Sequence, residues 1–319
     1  MSSVDVSSKT AGLDDGELLQ DLLVKTSRTF ALAIPLLPPP TLREVTVAYL
    51  LFRLADTFED ASVLWQEDEQ RSALAEFADL IREPSLQDAR RLADSWCAKP
   101  PTEHVGYLEL LERTPEVIAS FLSLSPSARE VVGHHTIRTA EGMSSVVERT
   151  GGDGVLRLDS IRDVQDYCYI VAGIVGEMLT DLFLLERPHL EAIATFLRER
   201  AARFGEGLQL VNILKDSAGD VVEGRDYLPD GIARADFFGL ARADLLAATE
   251  YTLAIQEAGG PDGIVLFTGL PVELAWATLA KVEKKGPGAK ITRPEVYAIH
   301  SRIQKAVRKG RPAVKPPGS

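Results

Sequence analysis

From Gly16 to about Lys309 the chain alternates segments of helical apolar spacing with short breakers. Pro35 and the run Pro38-Pro39-Pro40 close one segment. Further breaks fall at Glu83-Pro84-Ser85, Lys99-Pro100-Pro101, Ser125-Pro126, Gly151-Gly152-Asp153-Gly154, Arg187-Pro188, Pro229-Asp230-Gly231 and Gly259-Gly260-Pro261. The period-two alternation of a half-buried strand is absent, and β-branched runs are short. Thr41, after the prolines, is placed as an N-cap with Glu44 completing a capping box, so a helix is predicted from Leu42 to about Ala61. The apolar stretch from Ile264 to Val282 contains Gly269, Pro271 and Glu273, which predicts a buried, broken helix rather than a membrane span. No repeat and no long linker divides the chain. The expectation is one all-α domain over residues 16–309, between a disordered N-terminus (1–15) and a disordered basic tail (310–319).

Composition agrees with a helical core. The chain is 45% hydrophobic and only 7% aromatic, and leucine and alanine dominate, which favours helix over sheet. Cys97 and Cys168 offer neither a disulfide framework nor metal-site spacing, which points to a reducing, cytoplasmic setting. The polar N-terminus lacks the apolar core of a signal peptide. A net charge of −12 argues against nucleic acid as the main partner. The charge is uneven: residues 281–319 hold eleven Lys and Arg against two Glu, a net of +9, leaving −21 on the rest. Such an end suits peripheral contact with an anionic membrane or a phosphorylated cofactor, and equally a solvated, disordered terminus.

Two acidic clusters carry the chemistry. Asp56, Glu59 and Asp60 stand at i, i+3 and i+4, on one face of a helix whose other residues, Leu50, Leu51, Phe52, Leu54 and Ala55, are apolar. Like charges at that spacing repel, so the cluster costs stability unless a cation bridges it. Asn212, Asp216 and Asp220 form a second polar stripe at i, i+4 and i+8, with Gln209 one turn before Asn212. Hard oxygen donors without His or Cys suit Mg²⁺, which binds a few carboxylates plus substrate phosphate. One acidic triplet is most often a solvated face; two in apolar helices point to a paired metal site. A ferritin-like di-iron site fits worse, and zincin, nucleophile-elbow, P-loop and Gly-x-Gly-x-x-Gly motifs are absent.

At these residues the chain resembles the squalene/phytoene synthase family. Asp56-Thr57-Phe58-Glu59-Asp60 resembles its first aspartate-rich motif. The segment Asn212 to Asp220, followed by Glu223-Gly224-Arg225-Asp226-Tyr227-Leu228-Pro229, resembles its second. Thr26-Ser27-Arg28-Thr29-Phe30 is similar to its flap, and Tyr167-Cys168-Tyr169-Ile170-Val171-Ala172-Gly173-Ile174-Val175-Gly176 to the helix bearing its catalytic tyrosine. The resemblance implies an all-α class I isoprenoid synthase bundle with a central cavity. The first motif, the Tyr167 segment and Ala289-Lys290-Ile291-Thr292-Arg293 are closest to the squalene type. The chain shows no closing membrane helix of the eukaryotic kind, so a soluble bacterial form is expected, with phytoene, dehydrosqualene and hydroxysqualene synthases as alternatives.

The resemblance also assigns roles. Mg²⁺ would be held by Asp56, Asp60, Asn212, Asp216 and Asp220, with Glu59 as a ligand or orienting Asp60. Prenyl diphosphate would be held by Ser27, Arg28, Phe30, Tyr49, Arg53, Gln209, Lys215 and Arg225. Arg53 also suits a plain i,i+3 salt bridge to Asp56. Tyr167 would remove a proton or stabilise a cation. NADPH would meet Lys290 and Arg293. The implied reaction joins two farnesyl diphosphates head to head through presqualene diphosphate. Ala172, Gly173 and Gly176 suit close helix packing or room for a prenyl chain, and Cys168 suits packing. A catalytically idle helical assembly module is the reading from another class; buried like charges argue against it.

Overall fold

A computed structural model of the protein describes residues 15–27, 29–150, 155–220 and 225–315, apart from the side chains at 218, 220, 225 and 226. Helices α1 (Asp15–Thr26) and α2 (Phe30–Ala33) lead through a 3-10 turn (Ile34–Leu36) to α3 (Thr41–Glu59), which ends in a second 3-10 turn (Asp60–Val63). Then come α4 (Glu67–Arg82), α5 (Leu86–Ala98), α6 (Val105–Glu112), α7 (Thr114–Leu122) and α8 (Pro126–Glu148). A two-residue strand β1 (Leu156–Arg157) precedes α9 (Ile161–Cys168). A π-turn (Tyr169–Gly173) joins α9 to α10 (Ile174–Glu186). After a 3-10 turn (Pro188–Ile193), α11 runs Ala194–Asp220, and β2 (Arg225–Asp226) pairs in parallel with β1, Leu156 opposite Arg225. The chain closes with α12 (Arg234–Glu257), α13 (Asp262–Lys285) and α14 (Arg293–Val307).

Helix starts follow local chemistry. Ser85, Ser125 and Ser160 accept the backbone N–H three residues on, and prolines fill the first turns of α7, α8 and α14, where no donor is needed. The α13 stop is Gly286, whose φ of +85° suits glycine. α12 lies along α11, α4 along α8, and α10 between α8 and α11. The last contact is close because small residues face each other. A Cβ on Gly176 would come within 1.9 Å of the Ala201 carbonyl, and one on Gly205 within 1.9 Å of the Ala172 carbonyl. The small residues after Tyr167 therefore serve helix packing.

Three expectations change. The Thr41–Glu44 capping box does not form, because the helix begins earlier: the Pro38 and Pro40 carbonyls accept from Leu42, Arg43 and Glu44, leaving Thr41 inside the first turn. The stretch from Ile264 to Val282 is buried as expected but is not broken; α13 runs through Pro271, itself buried among its neighbours. Residues 311–315, read as disordered tail, are docked. Ala313 and Val314 are fully buried, the Ala313 N–H reaches Gln256 Oε1 at 2.8 Å, and the Lys315 N–H reaches Glu273 Oε1 at 2.9 Å. Two apolar side chains suffice to seat this segment despite the prolines and charges around it.

Candidate active site

The C-terminal end of α3 is fixed from below. Phe58 is fully buried against Trp96, Trp65 and Phe77, with ring centroids 4.6, 6.0 and 6.2 Å away. The buried Gln70 amide donates to the Phe58 and Glu59 carbonyls at 3.0 and 2.6 Å, satisfying helix-end acceptors. These contacts anchor the Phe58 end of the first acidic motif.

Asp56 lies 3.1 Å from Arg53 Nη1. Burial, and the nearby Asp60, push its carboxyl up to about 6, although Arg53 pulls the other way. Burial disfavours the Arg53 charge too, but Asp56 and the phenols of Tyr49 and Tyr107 outweigh it, so Arg53 stays firmly charged. The pair is lopsided: it secures the guanidinium without offsetting what burial costs the carboxylate. Arg53 lies over the Tyr49 and Tyr107 rings, at 5.8 and 5.4 Å. Tyr49 donates to the Thr26 carbonyl at 2.9 Å, its ring stands 5.8 Å from that of Phe30, and the Ser27 hydroxyl accepts from the Phe30 N–H at 2.9 Å. Ser27, Phe30, Tyr49, Arg53 and Asp56 thus form one wall. Arg28 lies outside the described residues. Tyr107 was not foreseen; α6 carries no charge pattern that distinguishes its tyrosine from packing.

Tyr167 closes another side. It is 5% exposed, its ring stacks on Tyr227 at 4.7 Å, and its hydroxyl donates to that of Tyr227 at 3.0 Å. Burial, then Glu59, Tyr227 and Asp60, hold its pKa well above that of an ordinary phenol. Glu59 and Asp60 are therefore within electrostatic reach of Tyr167, although more than a hundred residues separate them in sequence. Tyr227 belongs to the quoted second motif but was given no role there; its partner is visible only in three dimensions. Cys168 is fully buried, and burial pushes its thiol up, so it packs.

On α11 the second stripe keeps its spacing. Asn212 is exposed and accepts from Lys215 Nζ at 3.0 Å, and Lys215 also bridges Asp216 at 3.0 Å. Gln209 is half-buried on the same helix. The side chains of Asp220 and Arg225 lie outside the described residues. The Lys215 carbonyl accepts from the Gly288 N–H at 2.7 Å, which brings the loop before α14 to the second stripe. Lys290 in that loop and Arg293 at the start of α14 are exposed.

The donors are hard oxygens, and the Asp60 charge adds to the burial that raises the Asp56 carboxyl. That fits a divalent cation. Among the described residues no three His, Cys, Asp or Glu side chains converge on one point, so a cation here needs water or phosphate oxygens besides, as Mg²⁺ takes. A surface hollow between the start of α11 and the end of α12, lined by Ile193, Phe196, Glu199, Ala254 and Glu257, contains none of the residues named above.

Known proteins agree with the arrangement. A family model described as squalene/phytoene synthase matches residues 23–259. The squalene synthase of Schizosaccharomyces pombe is 32% identical over 312 residues, covering 89% of this chain and 61% of that protein. That of Eremothecium gossypii is 29% identical over 230 residues, covering 70% of this chain and 48% of that protein. The chain thus spans about half to three-fifths of these relatives' length. Among solved structures, TcSQS in complex with the ligand BPH1237 superposes with a TM-score of 0.70 at 22% identity, covering 93% of this chain and 90% of that one. Squalene synthase HpnC from Alicyclobacillus acidocaldarius gives 0.51 at 16% identity, over 85% of this chain and 94% of that one. These two share the fold.

Proposed function

Because the chain belongs to the squalene/phytoene synthase family, we propose that it joins two farnesyl diphosphates head to head through presqualene diphosphate and reduces that intermediate to squalene. The observation that carries this reading is the stacked pair Tyr167–Tyr227, buried beside Glu59 and Asp60 of the first acidic motif.

Arg53, backed by Tyr49 and Tyr107, and Lys215, on the opposite helix, hold the diphosphate oxygens. Asp56, Asp60, Asn212 and Asp216, with Asp220 beyond the described side chains, would hold Mg²⁺. When bound, Mg²⁺ neutralises the charge that grows on the departing diphosphate. Ser27 and Phe30 bound the site from the flap side. The phenol of Tyr167 stays protonated at any working pH, so it acts not as a phenolate base but by relaying a proton along its hydrogen bond to Tyr227 and by offering its ring face to a cation. Leu210, Ile213 and Phe237, buried in the same cluster, keep water from trapping the cation. NADPH would be held by the exposed Lys290 and Arg293 and would supply hydride.

The exposed Lys305, Arg308, Lys309 and Arg311 at the far end of α14 give the protein a cationic surface for an anionic bilayer, which suits a product insoluble in water. Because residues 311–315 are docked, charge reversal at 305, 308 and 309 tests this better than deletion. Liposome co-sedimentation should fall, and unchanged sedimentation rejects the contact.

The reaction itself is tested by mass spectrometry of farnesyl diphosphate incubations with and without NADPH, and with Mg²⁺ or EDTA. Squalene only with both NADPH and Mg²⁺ is expected. The same product with and without NADPH assigns the reduction to another enzyme, and turnover in EDTA rejects the metal.

A further inference from the structure

The turn that follows Tyr167 is a single π-turn, Tyr169–Gly173, set between two α-helices. A π-turn is wider than the α-helix around it and shifts the register of everything on one side, so it persists only where its surroundings hold it. On one side α11 presses against it: a Cβ on Gly173 would fall 3.1 Å from Glu206 Oε1, besides the contacts of Gly176 and Gly205 already described. On the other side stands a polar cluster that the mechanism does not use. Arg138, on α8, donates to the Glu177 carboxylate at 2.8 Å and to the Tyr169 hydroxyl at 2.5 Å. The Tyr169 hydroxyl lies 3.2 Å from Glu177 Oε1. His135 Nδ1 accepts from Arg138 at 3.0 Å, so its Nε2–H faces Asp181 at 3.1 Å. Thr139, next to Arg138, donates to the Ile170 carbonyl inside the π-turn at 3.4 Å.

Tyr167 and Tyr169 are two residues apart, so on a helix they project to nearly opposite sides. One faces Tyr227 and the first acidic motif; the other is gripped by α8. We propose that Tyr169, Arg138 and Glu177 form a positioning clamp that holds the π-turn in register and so aims the Tyr167 ring at the reaction site. The inference rests on the role given to Tyr167 above. Tyr169, Arg138 and Glu177 bond one another and are not among the residues given the chemistry above; they act through the backbone between Tyr169 and Tyr167. Displacements of about 1 Å far from the chemistry can cost two orders of magnitude in rate, which is the scale such a clamp controls.

The test is steady-state kinetics of Tyr169→Phe, Arg138→Met and Arg138→Lys with farnesyl diphosphate, with Tyr167→Phe in the same assay and thermal unfolding of each. Tyr169→Phe keeps the ring and its packing while removing the gripped hydroxyl. The expected result is a roughly tenfold or larger fall in kcat for Tyr169→Phe and Arg138→Met, with KM and Tm close to wild type and partial recovery in Arg138→Lys. Wild-type kcat in Tyr169→Phe while Tyr167→Phe is impaired overturns the clamp alone. A KM change in place of the kcat change, or a kcat loss that only follows a fall in Tm, also overturns it. Wild-type kcat in both tyrosine variants overturns the clamp and also removes the proton-relay role of the Tyr167 hydroxyl beneath it.

Discussion

The two acidic helices carry the same kind of donor in opposite surroundings. On α3, Asp56 sits against Arg53 with 27% of its side chain exposed, inside a wall of aromatic rings and buried leucines, and its carboxyl is raised to about 6. On α11, Asn212 is exposed and the Asp216 side chain is 42% exposed, tied to Lys215. On α3 only Asp56 is strongly desolvated before any ligand arrives; Asp60, one turn on, is exposed. The α11 cluster still keeps water and gives it up only as substrate closes the space. Arginine held over two rings belongs to the first setting, and an ammonium shared between Asn212 and Asp216 to the second.

That contrast ranks the substitutions. The largest effect is expected at Asp56: Asp56→Asn should lower diphosphate release from farnesyl diphosphate by at least about a hundredfold with helical content unchanged. Asp216→Asn should lose less, because water can replace a solvated donor. Should Asp216→Asn prove the more damaging, burial is not what orders the two clusters.

Next in size, α12 and α13 are covered by the docked C-terminal segment at residues 313–315. Val314→Asp buries a charge beside Gly269 and should cost about 2 kcal/mol in urea unfolding. An unchanged midpoint means that the segment leaves without consequence.

Tyr107 sharpens the α3 side. Tyr107→Ala should raise KM for farnesyl diphosphate by about tenfold through lost support of Arg53, whereas Tyr107→Phe should stay near wild type, because the ring face is what is used. Equal defects in both variants transfer the role to the hydroxyl.

The smallest effects concern two glutamates that sit on these same helices away from their clusters. Burial raises Glu44 on α3 and Glu206 on α11 from 4.5 to about 7. The folded state then holds more protons than the unfolded chain between those values. Each group therefore lowers stability as pH rises from about 4.5 to about 7, and its effect levels off above. Glu44→Gln should add about 1 kcal/mol at pH 8 and little at pH 5, and Glu206→Gln less, since that side chain is more open. Urea unfolding at both pH values decides it; a variant whose gain is larger at pH 5 reverses the sign.

The sequence by itself determined the helical bundle, the α3 boundaries to within about two residues, and the spacing of both acidic stripes. These follow from periodicity, which is local: residues three and four apart share a face in any α-helix. It also led to Tyr167, Arg53 and the flap. Only the tertiary structure decided that Tyr227 stacks on Tyr167, that Tyr107 backs Arg53, that Gln70 caps the first motif, and that Ala313 and Val314 anchor the end of the chain. Each of these partners is an unremarkable tyrosine, glutamine or short aliphatic in sequence. Each gains its role from a neighbour about ten to sixty residues away. The π-turn after Tyr167 belongs to the same class: nothing in the sequence from Tyr169 to Gly173 distinguishes it from α-helix, and the grip of α8 and α11 on either side accounts for it.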